Sequence, residues 1–330
     1  MKKEASHYKA LEGGDVRCGL CPHECIIKPG RAGICGVRLN EGGKLVSSIY
    51  GEVTAVAMDP IEKKPLYHFH PGSDILSIGT KGCNFKCSYC QNWHISQDLN
   101  VRTAQYTPEE IVNMALENHS MGIAYTYSEP VIWFEFVADC AKLARSRGLK
   151  NVLVTNGFVN PEPLEELLEV TDAMNIDLKS FREETYKKVQ KGTLSGVLKT
   201  IDRACRRCHV ELTTLVVTGI NDTLEEMREI IDWIAALDRQ IPWHISRYYP
   251  NYRYDAPSTD VDFMLSVSEE AVRKLSFVFL GNISGSYGRS DTVCPSCKTT
   301  VITRTGYHVR INSLKEGRCG RCGFDLKIVH

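Results

Sequence analysis

The sequence predicts an α/β protein: a partial (β/α)6 TIM-like barrel, preceded by a cysteine-rich segment and followed by a small ribbon of two cysteine knuckles. Three observations predict it. Strand-like and helix-like stretches alternate from Asp74 onward, as they do where a parallel sheet is built from βα units. Eleven of the 14 cysteines fall into three tight groups, at 18/21/25/35, 83/87/90 and 294/297/319/322. The middle group directly follows the first expected strand, at the end where parallel α/β folds bind ligands. The chain accordingly divides into a cysteine-rich leader with short strands over 1–70, a barrel over 71–288 and a ribbon over 289–330.

The 330 residues are 43% hydrophobic and 24% charged, a globular composition. Forty basic residues against forty acidic leave no net charge, so nothing global draws the chain to nucleic acid or to an anionic membrane. No apolar run reaches the length of about eighteen that a membrane span needs, and no apolar stretch follows Met1-Lys2-Lys3-Glu4. The expectation is a cytoplasmic protein without a membrane partner. A disulfide framework belongs to short secreted chains, so cysteines grouped at ligand spacing here read as metal sites.

In chain order, Cys18, Cys21, Cys25 and Cys35 have C-x2-C-x3-C-x9-C spacing among the turn residues Pro22, Pro29, Gly30, Gly33 and Gly36. Four thiolates suit zinc or a second iron–sulfur cluster, and the spacing does not choose between them. Residues 44 to 70 alternate apolar and polar side chains as short strands do. Asp74 to Ile78 is the first barrel strand. Later strands are expected at Gly122 to Thr126, Asn151 to Thr155, Asp172 to Leu178, His209 to Val217, Ile241 to Arg247 and Phe277 to Leu280. Thr107-Pro108-Glu109-Glu110 opens a helix with an N-cap, a proline and a capping-box glutamate. A second helix, from Pro130 to Arg147, buries Ile132, Phe136, Cys140 and Leu143 and stops at Gly148. Cys205 and Cys208 have no second pair placed with them and are not counted as ligands. At the end, Cys294-Pro-Ser-Cys297 and Cys319-Gly-Arg-Cys322 form two knuckles, which read as a zinc ribbon; a module of about forty residues builds little core, and zinc would stabilise it. From Lys298 the ribbon carries seven basic residues against two acidic, which reads first as a solvated surface.

The informative stretch is Gly79-Thr80-Lys81-Gly82-Cys83-Asn84-Phe85-Lys86-Cys87-Ser88-Tyr89-Cys90-Gln91-Asn92, with C-x3-C-x2-C spacing. Cubane iron–sulfur clusters normally take four cysteine thiolates, so a three-cysteine loop leaves one iron open to a small molecule. The pattern, including the aromatic Tyr89 before the third cysteine, resembles the radical S-adenosylmethionine (radical SAM) superfamily. That resemblance implies a 4Fe-4S cluster on Cys83, Cys87 and Cys90, and SAM chelated on the open iron by its amine and carboxylate. It also implies reductive cleavage to methionine and a 5′-deoxyadenosyl radical, which takes a hydrogen atom from a substrate the sequence does not name.

Further segments carry the resemblance toward glycyl-radical activating enzymes. Tyr127-Ser128-Glu129-Pro130 stands where those enzymes have Gly-Gly-Glu-Pro, with both glycines replaced. Val154-Thr155-Asn156-Gly157 and Asp177-Leu178-Lys179 look like their Asp-Thr-Asn-Gly and Asp-Leu-Lys segments, Val154 replacing the aspartate. The implied cofactor contacts are Tyr89, Ser128, Glu129, Thr155, Asn156, Asp177, Lys179 and His244. Plainer readings stand beside them: Glu129 as a helix N-terminal charge, Asp177 and Lys179 as a mutual ion pair, His244 as a core histidine. As a whole the chain looks like the radical SAM member of the AmmeMemoRadiSam system, kin to pyruvate formate-lyase activating enzymes. This implies a flavodoxin or ferredoxin as reductant, and AMMECR1-like or Memo-like proteins or a protein substrate as partners. The alternatives are an enzyme that activates a glycyl-radical partner, a multi-cluster electron carrier, and a zinc-ribbon nucleic-acid binder, which the neutral total charge disfavours.

Overall fold

Strands that are apolar on both faces must lie between two layers, and the strands after Asp74 are of that kind. The computed structural model describes residues 1–283 and 289–330; the expected barrel end at residue 288 lies outside the described residues. Its main sheet has eight strands: β1 (Ala55–Pro60), β2 (Asp74–Gly79), β3 (Gly122–Tyr125), β4 (Lys150–Thr155), β5 (Ala173–Asp177), β6 (His209–Val216), β7 (Trp243–Arg247) and β8 (Val278–Gly281). Each strand pairs with its sequence neighbours in simple order; β2 to β8 are parallel and β1 is antiparallel to β2. The sheet is open, with β1 and β8 as its edges, so the barrel is partial.

Six helices cover the outside: α1 (Pro108–Glu117), α2 (Phe134–Ser146), α3 (Pro161–Leu168), α4 (Leu194–Ala204), α5 (Leu224–Asp238) and α6 (Val261–Ala271). The Thr107 capping box at α1 forms as its sequence requires. The stretch expected as one helix from Pro130 begins as a 3-10 turn, Pro130–Trp133, and becomes α-helical at Phe134. The strands obey the period of two. Leu76, Ile78, Ile123, Tyr125, Leu153, Met174 and Ile176 face the helices, whereas Ile75, Ala124, Val152 and Ala173 alternate with them and face inward.

Those inward residues pack on Ile61, Leu66 and Phe69, so residues 61–70 plug the end of the barrel where the strands begin. The leading segment is thus split in use: β1 extends the main sheet, the next ten residues fill its interior, and two small antiparallel sheets ahead of them carry the first cysteines. The ribbon closes on the plug, with Phe69 bridged to Val329 and Phe277 and Phe279 in one cluster with Val301, Ile302 and Ile328. With the strand starts sealed, the cysteine loop occupies the other end. No helix among the described residues is long and apolar enough to cross a membrane.

Candidate active site at the cysteine loop

The loop after β2 is held by neighbours on every side. Gly82 sits at φ +93, and a Cβ there would lie 3.0 Å from the Cys35 carbonyl oxygen, so only glycine lets the loop pass the leading segment this closely. Phe85 is buried against Phe158 and Tyr186. Lys86 N–H donates to Gln190 O (2.9 Å), Gln190 Nε2 donates to Tyr89 Oη (2.8 Å), and Asn92 Nδ2 donates to Tyr127 O (2.8 Å). Asn92 thereby ties the loop to the turn after β3.

Two of the three thiols, Cys83 and Cys90, meet polar neighbours. Cys83 Sγ accepts from Phe85 N (3.3 Å) and lies 3.7 Å from Asn156 Nδ2; Cys90 Sγ lies 3.2 Å from Ser96 Oγ. Burial holds the Cys83 thiol well above its ordinary range and pushes Cys87 up to about 11, while the Lys179 ammonium pulls Cys87 back down. Buried thiols of this kind become thiolates when a metal takes the proton's place. Hydrogen bonds to the sulfurs are among the features that set the potential of an iron–sulfur cluster.

The turns after β3, β4 and β5 complete the site. Tyr127 has φ +67, the left-handed conformation a glycine would adopt without strain; a tyrosine there costs about 1–3 kcal/mol. Its phenol offsets this by donating to Asp59, and the Lys64 ammonium lies 4.5 Å from its ring centroid. Burial alone would raise the Asp59 carboxyl, but Lys63, Lys64 and Tyr127 donate to it and hold it well below the usual range. Tyr127 therefore holds a backbone conformation that glycine would adopt freely. Ser128 Oγ is buried with no hydrogen-bond partner among the described residues.

Glu129 is 2% exposed and caps the turn after it by accepting from Val131 N (3.0 Å). It also accepts from Thr155 Oγ1 (2.6 Å) and Asn156 N (2.8 Å). Asn156 Nδ2 donates to Asn84 Oδ1 (2.8 Å), so Glu129, Thr155, Asn156, Asn84 and Cys83 form one connected network. Gly157, at φ +69, lets this turn lie on β5: a Cβ would meet Ile176 Cγ2 at 2.8 Å. Lys179 Nζ donates to Asp177 Oδ2 at 2.8 Å. Burial would lower the Lys179 ammonium, but Asp177 and the Cys87 thiol outweigh it and hold it well above its ordinary range.

The expected site residues Cys83, Cys87, Tyr89, Cys90, Ser128, Glu129, Thr155, Asn156, Asp177 and Lys179 thus meet at one end of the sheet. His244 does not join them. It is the second residue of β7, and its Nε2 lies 2.6 Å from Glu211 Oε2. The other Glu211 oxygen lies 3.0 Å from His209 Nε2, and the carboxylate accepts from Tyr67 N and His68 N of the plug. Of its two sequence readings, the structure places His244 as a satisfied interior histidine. Asn84, Ser96 and Gln190 enter the site without having been singled out from the sequence; Gln190 is 101 positions from the Tyr89 it binds. A cavity of about 700 Å³ lies between α3 and α4 and includes none of the three loop cysteines.

The ribbon cysteines form a second centre. Cys294, Cys297, Cys319 and Cys322 offer sulfurs all within 4.8 Å of one another, with 3.6 Å between Cys294 and Cys322 and between Cys297 and Cys319. Sulfurs tetrahedral about a zinc at about 2.3 Å would stand roughly 3.8 Å apart. The thiols therefore fit a structural metal. The basic surface expected around them is smaller than its composition suggests, because Arg304 is buried and Lys327 pairs with Asp238 at 2.6 Å.

Fold and site together define an α/β partial-barrel enzyme built around a three-thiol loop. Residues 77–234 match the family described as the Radical SAM superfamily. An uncharacterised protein of Methanocaldococcus jannaschii is 41% identical over 335 residues, covering 99% of each chain. A putative glycyl-radical enzyme activating enzyme of the same organism is 30% identical, over 62% of this chain and 80% of that one. The pyruvate formate-lyase 1-activating enzyme of Escherichia coli K12 is 31% identical, over 33% of this chain and 47% of its own. The chain belongs to the radical SAM superfamily and is related to its activating enzymes.

Proposed function

We propose that this protein binds a 4Fe-4S cluster through Cys83, Cys87 and Cys90, and binds SAM beside it between the turns after β3, β4 and β5. When bound, the cluster supplies the single electron that cleaves SAM to methionine and a 5′-deoxyadenosyl radical, the hydrogen-abstracting species. The chain's own residues bind, orient and exclude water. Asn156 and the Phe85 amide donate to the Cys83 sulfur, and Lys179 places positive charge beside Cys87. The free hydroxyl of Ser128 is available to SAM's polar end, and Asp177 with Lys179 offers one acceptor and one donor group at the same mouth. Glu129 acts as a positioning residue: two of its three accepted hydrogen bonds fix Thr155 and Asn156 before any ligand arrives, and the third caps its own turn at Val131. The observation that carries the reading is the convergence of three loop thiols, Cys87 buried and Cys83 and Cys90 half-buried, with an unpartnered buried hydroxyl and this network.

The donor of electrons in this reading is a flavodoxin or ferredoxin. The substrate is a protein, as the names of the activating-enzyme relatives suggest, and AMMECR1-like and Memo-like proteins are candidates for it or for partners. The test is anaerobic reconstitution with iron and sulfide, followed by dithionite and SAM. 5′-Deoxyadenosine and methionine are expected in equal amounts; SAM recovered intact from a protein with a full iron complement overturns the proposal.

Glu129 gives a sharper prediction. Glutamine in its place keeps the volume but turns one acceptor into a donor, facing either Asn156 N–H or Thr155. An unmade buried hydrogen bond costs about 1–3 kcal/mol, so kcat/KM for SAM cleavage should fall about ten- to a hundredfold with the fold retained. Burial raises the Glu129 carboxyl to about 7 against the hydrogen bonds that lower it. Below that pH the wild-type carboxyl is protonated and loses acceptor capacity. Cleavage should therefore decline on an acid limb near pH 7, and the Glu129→Gln profile should lack that limb.

A further inference from the structure

Cys18, Cys21, Cys25 and Cys35 line one small cavity of about 20 Å³, together with Arg38 and Asn84. Turns deliver them there: Cys18 ends the strand Val16–Cys18, Cys25 immediately precedes Ile26–Ile27, and Cys35 sits in the turn closed by Gly36 N–H donating to Gly33 O. All four residues line this one space. Among the described residues, the ribbon cysteines are the metal-ligating group whose atoms all lie within 4.8 Å of one another, and the four leading cysteines are not part of such a group. A lone zinc draws four sulfurs to roughly 3.8 Å, as the ribbon geometry allows. A cubane carries one thiolate on each of four separate irons and holds them farther apart. In this the leading cysteines are like the loop cysteines Cys83, Cys87 and Cys90 and unlike the ribbon.

Arg38 points to the charge of the occupant. Its side chain is 1% exposed in the cavity wall, and Nη1 donates to Glu135 Oε1 at 2.8 Å. Nε and Nη2 have no partner. Buried guanidinium N–H groups without acceptors are costly, and a sulfur-rich anion supplies acceptors. The cavity also abuts the active loop. The Gly82 backbone packs on the Cys35 carbonyl, His23 Nε2 lies 2.8 Å from Asn84 O, and Asn84 joins the Asn156 amide that reaches Cys83.

We propose that Cys18, Cys21, Cys25 and Cys35 hold a second cubane iron–sulfur cluster, with Arg38 donating to its sulfurs, and that it relays single electrons to the cluster at Cys83, Cys87 and Cys90. The relay rests on the proposed SAM cleavage; the cluster assignment does not. A reduced flavodoxin or ferredoxin loses one electron, the second cluster core passes from 2+ to 1+, and it returns to 2+ as the loop cluster core passes from 2+ to 1+. No bond is made or broken and no proton moves in the transfer.

The deciding sample is the full chain with Cys83→Ala, Cys87→Ala and Cys90→Ala, made in iron-supplemented cells and handled anaerobically. Expected are about four irons, about four sulfides and about one zinc per chain, with an EPR signal on dithionite reduction that SAM leaves unchanged. About two zincs with no iron overturns the assignment. The wild-type chain gives a second reading that needs no variant: about eight irons with one zinc supports the cluster, and about four irons with two zincs refutes it. Since the triple variant cannot cleave SAM at the loop, its metal content is decided apart from the proposed function. The relay is tested in Cys18→Ser/Cys21→Ser. Flavodoxin-driven 5′-deoxyadenosine should fall at least tenfold while the loop cluster still changes its EPR signal on SAM addition; an unchanged flavodoxin-driven rate overturns the relay.

Discussion

Cys83→Ala is expected to abolish 5′-deoxyadenosine formation while leaving a folded protein whose four ribbon thiols are untouched. The loop offers only three thiolates, and with one gone the remaining two, Cys87 and Cys90, provide half of a cubane's normal ligand set. The loss should be complete to the limit of detection rather than graded. The fold should survive, because the Cys83 sulfur's structural contribution is small. Phe85 N–H loses its acceptor, at about 1 kcal/mol, and Asn156 Nδ2 keeps its bond to Asn84 Oδ1. Serine at the same position is a poor ligand for iron and should behave as alanine does, which separates loss of the ligand from loss of volume. The measurements are loop iron, zinc and product on one anaerobic preparation. Undiminished product in Cys83→Ala would show that the chemistry lies elsewhere.

That prediction rests on residues legible in the sequence, because everything it needs is local. Cys83, Cys87 and Cys90 lie within one loop, and apolar runs fixed the strands on either side by their length and their alternation with helices. Thr107 and Glu110 identified the start of α1 for the same reason: a capping box is a four-residue device. Glu129 was legible as the charge at the start of the turn it caps, and its grip on the Thr155-Asn156 turn, 26 and 27 positions away, was not.

What the sequence left open depends on pairings across the fold. His244 lies opposite Thr213 in the β6–β7 ladder, and Glu211, two residues earlier, is brought within 2.6 Å of it by that register. Nothing in His244-Ile245-Ser246 reports such a partner, so position along the strand, near its start rather than its end, could not be tied to a side. Arg38 and Glu135 are 97 positions apart, and Gln190 and Tyr89 are 101. Tyr127 is the reverse case: the sequence flagged it as a departure from glycine, and only the structure shows its ring held between Lys64 and Asp59 while its backbone keeps the glycine conformation.

Arg304→Met is expected to destabilise the ribbon's docking by about 3–5 kcal/mol, the cost of breaking a buried ion pair by removing one partner. Arg304 donates to Ser290 O and Thr292 Oγ1 at 3.0 Å each and to Tyr67 O at 2.6 Å, and its guanidinium lies 4.3 Å from the Tyr67 ring centroid. It thereby joins the ribbon to the plug. It also faces Glu62 at 3.7 Å, and neither side chain of the pair is exposed. Burial raises the Glu62 carboxyl and lowers the Arg304 guanidinium despite their mutual attraction, so each group carries a desolvation penalty the other only partly offsets. Removing Arg304 alone leaves a buried carboxylate with Gly72 N–H as its hydrogen-bond donor at 2.9 Å. Arg304→Met/Glu62→Gln, which ends the unpaired charge but keeps an acceptor for Gly72, should recover at least half of the loss. A pH series gives an independent check. In Arg304→Met the folded Glu62 carboxyl, already raised and now without its cation, binds a proton more readily than in the unfolded chain. Stability therefore rises as pH falls toward the unfolded carboxylate range and is lost as pH climbs through the raised folded value. Urea unfolding of zinc-loaded protein should show a larger deficit relative to wild type at pH 8 than at pH 5. Equal deficits at the two pH values, or equal losses in the single and double variants, would mean that the ribbon is held by Phe277, Phe279 and its other apolar contacts and that the buried ion pair contributes nothing to docking.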